Sequence, residues 1–425
     1  MRLLRYLPML VLAFSVSAAA ETQMEIDQIL ARPEIRLDDL FQIAELANPD
    51  LAVARLEIEA RTGRMRQFDL YPNPEIRFAV EEMFVDDPAV RKQKVELSQA
   101  LLIGGRRGAA VGAARTQVDQ AGELALATRR ESLGSVHKWW ANQIYFREAG
   151  AAFDELQVEA EKTLQIAQAR FEAKAAPESH VTRAMLEVYD LEVARQEFER
   201  NRGRSVAEMK VLLGGIEIPV ERLAGSLDPE AESACRPPDT EAVMETHPSL
   251  RAARLGVEAA EAMIQTAKKE RIPDLQIFVG YGNARPDFGN FVEGGISLPL
   301  PLFQRNQGRL AETTSQAAMA RHRERMAVQE LEVAMSTARL NHTTAHHQLD
   351  QLTEQISPAA ERALAQAQEA YRAGRLMFLE LVDAQRTFNT VRLRTMELRR
   401  DLALAEVDLM SLLGAGPYAD KGEIR

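Results

Sequence analysis

The pattern of apolar and polar positions changes its period along the chain, and it does so twice in the same order. After a helical stretch, Ile76, Phe78 and Val80 alternate with polar residues such as Glu75 and Arg77. This period of two is typical of a strand with one apolar face. After the strands, the apolar residues return to helical spacing over an unusually long stretch of the chain. For the first half, the pattern predicts strands at about 74–82 and 94–101 and long helices at about 106–174 and 178–213.

The same order of elements recurs 199 positions later. NPDLAVARLEIEA at 48–60 lies over HPSLRAARLGVEA at 247–259, and SQALLIGGRRG at 98–108 lies over SLPLPLFQRNQ at 297–307. A fixed offset of this kind indicates an internal duplication. The predicted parts of the chain are a first repeat at 21–213, a linker at 214–240, a second repeat at 241–414 and a C-terminal tail at 415–425. The second repeat is predicted to hold strands at about 274–282 and 292–300 and long helices at about 307–373 and 378–412.

The predicted strands have the length that a tilted strand needs to cross a bilayer, about 9–11 residues. Four strands cannot close a barrel, and lipid does not tolerate unpaired strand edges, so these strands are predicted to pair with other copies of the chain. A continuous helix over 106–174 would reach ~100 Å at about 1.5 Å per residue. The predicted seam between strands and helices is formed by Gly104, Gly105, Pro299 and Pro301.

The last predicted helix has apolar positions at alternating spacings of three and four, which is the seam of a coiled coil. The corresponding first-half helix has Arg195, Arg202 and Ser205 on its seam, which predicts looser packing or a polar lumen. Ser357-Pro358 predicts a kink or a break in the helix before it. The second-repeat seam residues are Leu381, Ala384, Phe388, Val391, Thr395, Leu398, Leu402, Ala405, Leu409 and Leu412.

Composition narrows the class of protein. The formal net charge is -11, and no basic stripe is present, which disfavours a nucleic-acid partner. The N-terminus reads as a signal peptide at 1–20, with two arginines, a short apolar core and small residues before the cleavage region. The single cysteine, Cys235, rules out an intramolecular disulfide, and no cysteine follows the cleavage region to carry a lipid anchor.

Candidate chemistry is sparse. His342 and His346, with His347 beside them, are four positions apart on a predicted helix and are weak candidates for a metal site. No third ligand is evident, so solvated or lumen-facing histidines are the favoured interpretation. No nucleophile–base pair, paired catalytic carboxylates or nucleotide motif is found, and the chain is predicted to be no enzyme and to need no cofactor. Candidates for an aromatic belt are Phe84, Phe288 and Phe291.

On NPDLAVA, HPSLRAA, the two strand hairpins and the YxxGxxxxxELVDAQ segment at 371–385, the chain resembles the TolC family of outer-membrane efflux proteins. PNPEIRF, ELSQALLIGGRRG and PLPLFQRNQG resemble the outer-membrane components of cobalt-zinc-cadmium type efflux systems. The resemblance implies a mainly α fold with four transmembrane β-strands and long coiled-coil helices. It also implies a homotrimer, in which a twelve-stranded β-barrel is continued by an α-helical barrel.

The resemblance also implies a gate. Aligning Tyr371 and Gly374 with the family puts Glu380 and Asp383 on an acidic pair that rings the periplasmic tip, and their i, i+3 spacing lets both face one side of a helix. The alternative is that both are ordinary solvated helix residues. The helix corners, including Ala173, Pro177, Tyr371 and Gly374, would be the sites where the adaptor docks.

The function implied is that of a passive exit duct in the outer membrane of a Gram-negative bacterium, with most of the chain in the periplasm. Its partners would be a periplasmic adaptor and an inner-membrane transporter of the RND type, and its substrates heavy-metal cations or other small toxic solutes. Two alternatives stay open: a duct for type I protein secretion with the same fold, and a periplasmic coiled-coil scaffold without a channel.

Overall fold

The computed structural model describes residues 20–81, 92–227, 240–284 and 289–419. The predicted signal peptide, apart from its last residue, lies outside this part of the chain, as do Phe84, Cys235 and Phe288. The first-half elements are α1 (Leu37–Ala47), α2 (Pro49–Asp69), β1 (Glu75–Glu81), β2 (Lys92–Leu101), α3 (Arg106–Glu172) and α4 (Glu178–Leu212). The second-half elements are α5 (Thr240–Thr246), α6 (Pro248–Lys269), β3 (Leu275–Ala284), β4 (Gly289–Ser297), α7 (Gln307–Gln351), α8 (Ser357–Arg372) and α9 (Phe378–Leu413).

The fold is mainly helical because long stretches lack residues that end a helix. α3 runs for 67 residues, and it contains no proline that would remove a backbone hydrogen bond. Helices end instead where Asn48-Pro49 and His247-Pro248 separate α1 from α2 and α5 from α6. None of the helices in the described ranges combines the length and the apolar character needed to span a membrane.

The four strands form one antiparallel sheet in the order β1-β2-β3-β4, so β1 and β4 are its edges. The register aligns Phe78 with Val95, Val95 with Tyr281, and Tyr281 with Val292. These four side chains share one face, since alternate residues of a strand point to the same side. Phe78 and Val292 are 77% and 74% exposed. The chain therefore presents a wide, uncovered apolar sheet face.

The strand β4 ends earlier than its hydrophobic pattern predicts. The predicted range of 292–300 continues through Leu298 and Leu300, whereas the strand spans Gly289–Ser297. Pro299 and Pro301 have no N–H to donate to a neighbouring strand, so alternation of apolar residues alone cannot extend the ladder. Phe291 is a second correction. It shares a face with Glu293 and therefore does not join an aromatic belt on the apolar face.

Ser357-Pro358 does not break the helix. A π-helical turn, Leu352–Ile356, connects α7 directly to α8, and Pro358 occupies the first turn of α8. Proline cannot donate the helical hydrogen bond, and its ring crowds the preceding turn. A wider π turn relieves this crowding without a loss of helical conformation.

The contacts divide the chain into two units, each described by itself. One unit holds Met1–Val53, Thr128–Val243 and Leu331–Gly422, and the other holds Ala54–Ala127, Met244–Glu330 and Glu423–Arg425. The core of the first unit is a continuous apolar cluster of fully buried side chains, which include Leu40, Ile144, Leu213 and Tyr418. The second unit holds the four-stranded sheet and parts of several helices. Ion pairs connect these helices, such as the pair between Arg251 of α6 and Glu123 of α3.

The seam predicted along α9 is buried or half-buried at all ten positions. Leu381, Leu398 and Leu402 are less than 5% exposed. In α4 the polar seam residue Ser205 is satisfied by two residues of α3: its hydroxyl accepts from Gln143 Nε2 at 2.9 Å, and its carbonyl accepts from Trp139 Nε1 at 2.9 Å. The polar seam of α4 therefore exchanges hydrogen bonds with α3.

Candidate functional site

The first helix corner is the connection 173–177 between α3 and α4. Lys174 has φ 56°, a left-handed conformation that side chains other than glycine rarely adopt. Ala175 N–H donates to the carbonyl of Arg170 at 2.8 Å, which satisfies the end of α3. The predicted docking residues Ala173 and Pro177 are both exposed here.

The second corner, 373–377, repeats this geometry between α8 and α9. Gly374 has φ 70°, the left-handed conformation of a helix C-cap, and Arg375 N–H donates to the carbonyl of Ala370 at 2.8 Å. Gly374 is exposed, whereas Tyr371 is only 2% exposed. The Tyr371 ring therefore supports the corner from within and presents little surface of its own.

The two corners correspond at an offset of 200, not 199. The left-handed residues are Lys174 and Gly374, and the following helices begin at Glu178 and Phe378. One residue has thus been gained between the start of the second repeat and its corner. The shift matters because it makes His180 the counterpart of Glu380, and Arg183 the counterpart of Asp383. An alignment at 199 conceals this relation.

An aromatic cluster joins the two corners. The His180 imidazole stacks on the Phe378 ring with centroids 4.6 Å apart and planes at 14°, and Tyr371 lies against Phe378 at 5.5 Å. The Arg170 guanidinium lies 4.5 Å from the Tyr371 ring centroid and also donates to the Tyr371 carbonyl. Burial lowers the pKa of His180, and the positive charges of Arg170 and Arg183 lower it further.

Glu380 and Asp383, the predicted gate residues, are both exposed on α9. Glu380 lies in the first turn, where the helix dipole favours a carboxylate, so it also has a plain structural role. Leu381 and Val382 between them are buried in the corner's apolar cluster. That packing fixes the direction in which α9 presents the two carboxylates.

The part of α9 next to the acidic pair is tied to both neighbouring helices by buried polar contacts. Gln385 is 1% exposed, donates to Asn389 Oδ1 at 3.2 Å and accepts from the Thr163 hydroxyl of α3 at 3.4 Å. Arg386 donates from Nε to Glu187 Oε1 of α4 at 2.7 Å, and this bond is the main reason that the pKa of Arg386 is raised. Gln385 and Arg386 were not predicted from the sequence, because single polar residues two and three positions after Asp383 give no periodic signal.

The predicted strand-to-helix seam has two different forms. In the first repeat, Gly104 and Gly105 have φ 84° and 72°, and a Cβ on Gly104 would lie 2.9 Å from atoms of the Ile272 side chain. In the second repeat, Pro299 and Pro301 lie in the irregular, exposed connection 298–306. There Asn306, with φ 57°, donates from Nδ2 to the Ala267 carbonyl at 2.8 Å and so docks the connection onto α6.

The histidines of α7 do not form a complete metal site. The His342 and His346 rings are 6.3 Å apart, and their nearest carboxylates differ: Glu406 is 3.9 Å from His342 Nε2, and Asp350 is 2.8 Å from His346 Nδ1. Within the described ranges, no group of three or more histidine, cysteine, aspartate or glutamate side chains is placed to hold a metal ion.

Comparison with known proteins extends over most of the chain. The model of the family "Outer membrane efflux protein" matches residues 40–215 and 241–415. The cobalt-zinc-cadmium resistance protein CzcC of Cupriavidus metallidurans is 24% identical over 368 residues, covering 85% of both chains. The probable efflux pump outer membrane protein TtgC of Pseudomonas putida is 25% identical over 419 residues, covering 91% of this chain and 84% of that one.

The solved structure of CusC, a protein that forms a transmembrane channel, has the same fold. The TM-score is 0.78 at 16% identity, and the match covers 89% of this chain and 92% of that chain. The family match includes both corners and all four strands. On these grounds the chain belongs to the outer membrane efflux protein family.

Proposed function

We propose that the protein is a passive, gated exit duct that works as a homotrimer in the outer membrane. The observation that carries the proposal is the four-stranded sheet with its exposed apolar face. Val292 and Ile296 on β4 are each 74% exposed, and β1 and β4 are the sheet's edges. Pairing β4 of one copy with β1 of the next removes these edges, which lipid would not tolerate, and three copies give twelve strands.

Family membership supplies the broader setting. Outer membrane efflux proteins act in efflux at the outer membrane, so the chain is an efflux protein and not an enzyme. We propose that a periplasmic adaptor and an inner-membrane transporter of the RND type complete the system and that the transporter provides the energy. The exposed corner residues Ala173, Pro177 and Gly374 would receive the adaptor, with the buried ring of Tyr371 holding the corner in shape.

The gate is proposed to be the acidic pair Glu380 and Asp383. In a trimer the pair becomes six carboxylates, which repel one another and attract cations, and charged rings are used for pore selectivity. Exposure of both side chains at a helix corner supports this role. The first-repeat counterparts His180 and Arg183 carry no negative charge, so we propose that only α9 contributes to the acidic ring.

Heavy-metal cations are the proposed substrates. Support comes from the similarity to a cobalt-zinc-cadmium resistance protein over 85% of the chain. The similarity to the probable efflux pump outer membrane protein TtgC supports other small toxic solutes as a second class of substrate. The remaining alternatives are a type I protein-secretion duct and a scaffold without a channel, and a scaffold gives no reason for an apolar sheet face of this width.

The organisation of the chain is part of the proposal. We propose a cleaved signal peptide at 1–20, no lipid anchor, tandem repeats at 21–213 and 241–414 joined by the linker 214–240, and a tail at 415–425. The corresponding left-handed corner residues Lys174 and Gly374 support the duplication.

Two measurements test the function. Purified mature protein is expected to need detergent and to give ion-conducting events in planar bilayers, whereas a scaffold would be soluble without detergent and would not conduct. Deletion of the gene is expected to increase sensitivity to zinc, cobalt or cadmium, and plasmid complementation should reverse the effect. Increased sensitivity to organic solvents or antibiotics alone would replace the metal substrates with the second class, and unchanged tolerance together with a lost secreted protein would favour the secretion duct.

A further inference from the structure

The face of the sheet opposite the apolar face carries a chain of alternating charges. Arg77, Glu96, Gly280 and Glu293 stand in one row across the four strands. Three ion pairs connect the charged members through Lys94: Arg77 Nη1 is 3.9 Å from Glu96 Oε1, Lys94 Nζ is 3.8 Å from Glu96 Oε2, and Lys94 Nζ is 3.1 Å from Glu293 Oε1. We call these four charged side chains the ion chain; its two positive and two negative charges sum to zero.

Gly280 makes the ion chain possible. Glu293 lies on β4 and Lys94 on β2, so the pair must cross β3. A Cβ on Gly280 would lie 2.9 Å from both Cγ and Oε1 of Glu293. The Glu293 side chain therefore lies flat over the backbone of β3 to reach the lysine. Any larger residue at 280 would lift the carboxylate away from the sheet.

The same construction is used twice more on this face. Phe291 covers Gly282, where a Cβ would lie 2.5 Å from the ring, and Phe278 covers Gly295, where it would lie 2.7 Å from the ring. In all three cases a side chain from the neighbouring strand lies along the surface and does not project from it. The charged face is thus built as a smooth wall.

The charges are partly withdrawn from water, which strengthens their coupling. The side chains of Glu96 and Lys94 are 12% and 25% exposed, whereas that of Arg77 is 69% exposed. Removing one member of a partly buried pair leaves its partner's charge uncompensated. In the proposed trimer the apolar face contacts lipid, so the ion chain faces the lumen, and each uncompensated charge appears three times around it.

We propose that the ion chain influences the ionic selectivity of the strand-built part of the pore by holding its own stretch of the wall at zero net charge. A neutral stretch of wall neither retains a cation nor repels it, and conduction requires that a solute be released as readily as it enters. Loss of Lys94 leaves the ion chain with one net negative charge, which attracts cations, and loss of Glu293 leaves it with one net positive charge, which attracts anions. This inference rests on the proposed trimeric channel.

The test is the reversal potential of single channels in a potassium chloride gradient. The salt concentration is kept at about 0.1 M, where the Debye length is ~10 Å, so the charges of the wall still act on ions inside the pore. Lys94→Gln is expected to raise the K⁺/Cl⁻ permeability ratio by about twofold to fivefold, and Glu293→Gln to lower it by a similar factor. The double variant restores the balance and is expected to return to the wild-type ratio. Lys94→Arg, which keeps the charge, should match wild type.

Because the acidic pair on α9 could dominate selectivity, each variant is also recorded with Glu380→Gln and Asp383→Asn, where the shifts should persist or increase. If Lys94→Gln fails to form detergent-resistant oligomers, Arg77→Gln repeats the loss of a positive charge at an exposed side chain and should shift the ratio in the same direction. Unchanged ratios in both single variants, or shifts of the same sign, would overturn the inference. A wild-type protein that forms no channels would instead contradict the proposed function.

Discussion

His137 is kept neutral by the core that surrounds it. Its Nδ1 lies 2.7 Å from the Tyr418 hydroxyl, and the rings of Phe41, Trp140 and Tyr418 are within 5.8–6.3 Å of it. Burial lowers the pKa of His137 from 6.5 to about 4 and raises the pKa of Tyr418. A buried imidazolium would have to give up its water without gaining a carboxylate, so the neutral ring is strongly favoured.

This burial predicts an acid-sensitive core. The unfolded chain takes up the His137 proton near pH 6.5 and the folded chain only near pH 4, so the stabilisation is fully present above pH 6.5 and is lost as the pH falls between these values. Chemical unfolding in detergent as a function of pH should show the slope in wild type. His137→Gln should make the slope clearly shallower, and the exposed His347→Gln should leave it intact. An equal slope in His137→Gln would contradict the prediction.

Residue 104 must be glycine for two reasons: its backbone has a positive φ, and a neighbouring side chain leaves no room for a Cβ. Gly104→Ala is expected to lower the free energy of unfolding by about 1–3 kcal/mol, because alanine disfavours φ 84° and its Cβ would meet Ile272 at 2.9 Å. Gly108→Ala, in the α3 helix with nothing within 4 Å, should be neutral or stabilising by up to about 1 kcal/mol. The thermal unfolding midpoints of the two variants measure this difference in stability. Equal midpoints would show that the strand-to-helix seam at 104 does not need glycine.

The helices and strands follow the hydrophobic pattern closely, and the differences have local causes. Alternation through Leu298 and Leu300 extends the predicted β4 beyond Ser297, but a ladder needs N–H donors, which Pro299 and Pro301 lack. Likewise, a proline at 358 signals an interruption, whereas the preceding π turn preserves the helix. Periodicity reports which face is apolar and does not report how backbone hydrogen bonds are rearranged.

Tyr371 is expected to hold the two corners together. Tyr371→Ala removes a ring that contacts Phe378, His180 and Arg170 and should destabilise the corners locally by about 3–5 kcal/mol. Tyr371→Phe loses only the hydroxyl contact to His180 at 3.3 Å and should cost less than about 1 kcal/mol. Hydrogen–deuterium exchange of residues 164–184 and 364–388 distinguishes them, and equal protection in wild type and Tyr371→Ala would refute the role.

Family and fold were predictable from the whole chain, and the family resemblance is confirmed. The candidate site was predictable only in part. Glu380 and Asp383 follow from a motif, but their supports, Thr163, Gln385 and Glu187, come from other parts of the chain or give no spacing signal. Contacts between residues separated by some 200 positions depend on how helices pack side by side, which a one-dimensional pattern does not encode.

The proposed gate predicts how loss of the acidic pair changes conduction. Glu380→Ala together with Asp383→Ala is expected to raise single-channel conductance or to lower cation preference, because six mutually repelling carboxylates would leave the proposed constriction. Glu197→Ala with Glu199→Ala removes the same charge from exposed positions further along α4 and should leave both quantities unchanged. Bilayer recordings identical to wild type for the first pair would exclude the gate.

The two open edges of the sheet also have a genetic consequence. In the proposed trimer, a subunit that folds its helices but cannot offer β1 or β4 to a neighbour would still be incorporated through its intact edge, and it would then leave the ring open. One defective subunit would therefore inactivate the two wild-type subunits of the same proposed trimer. Alleles that damage a single edge strand should therefore be dominant over wild type when both are expressed in one cell, whereas alleles that prevent folding altogether should be recessive.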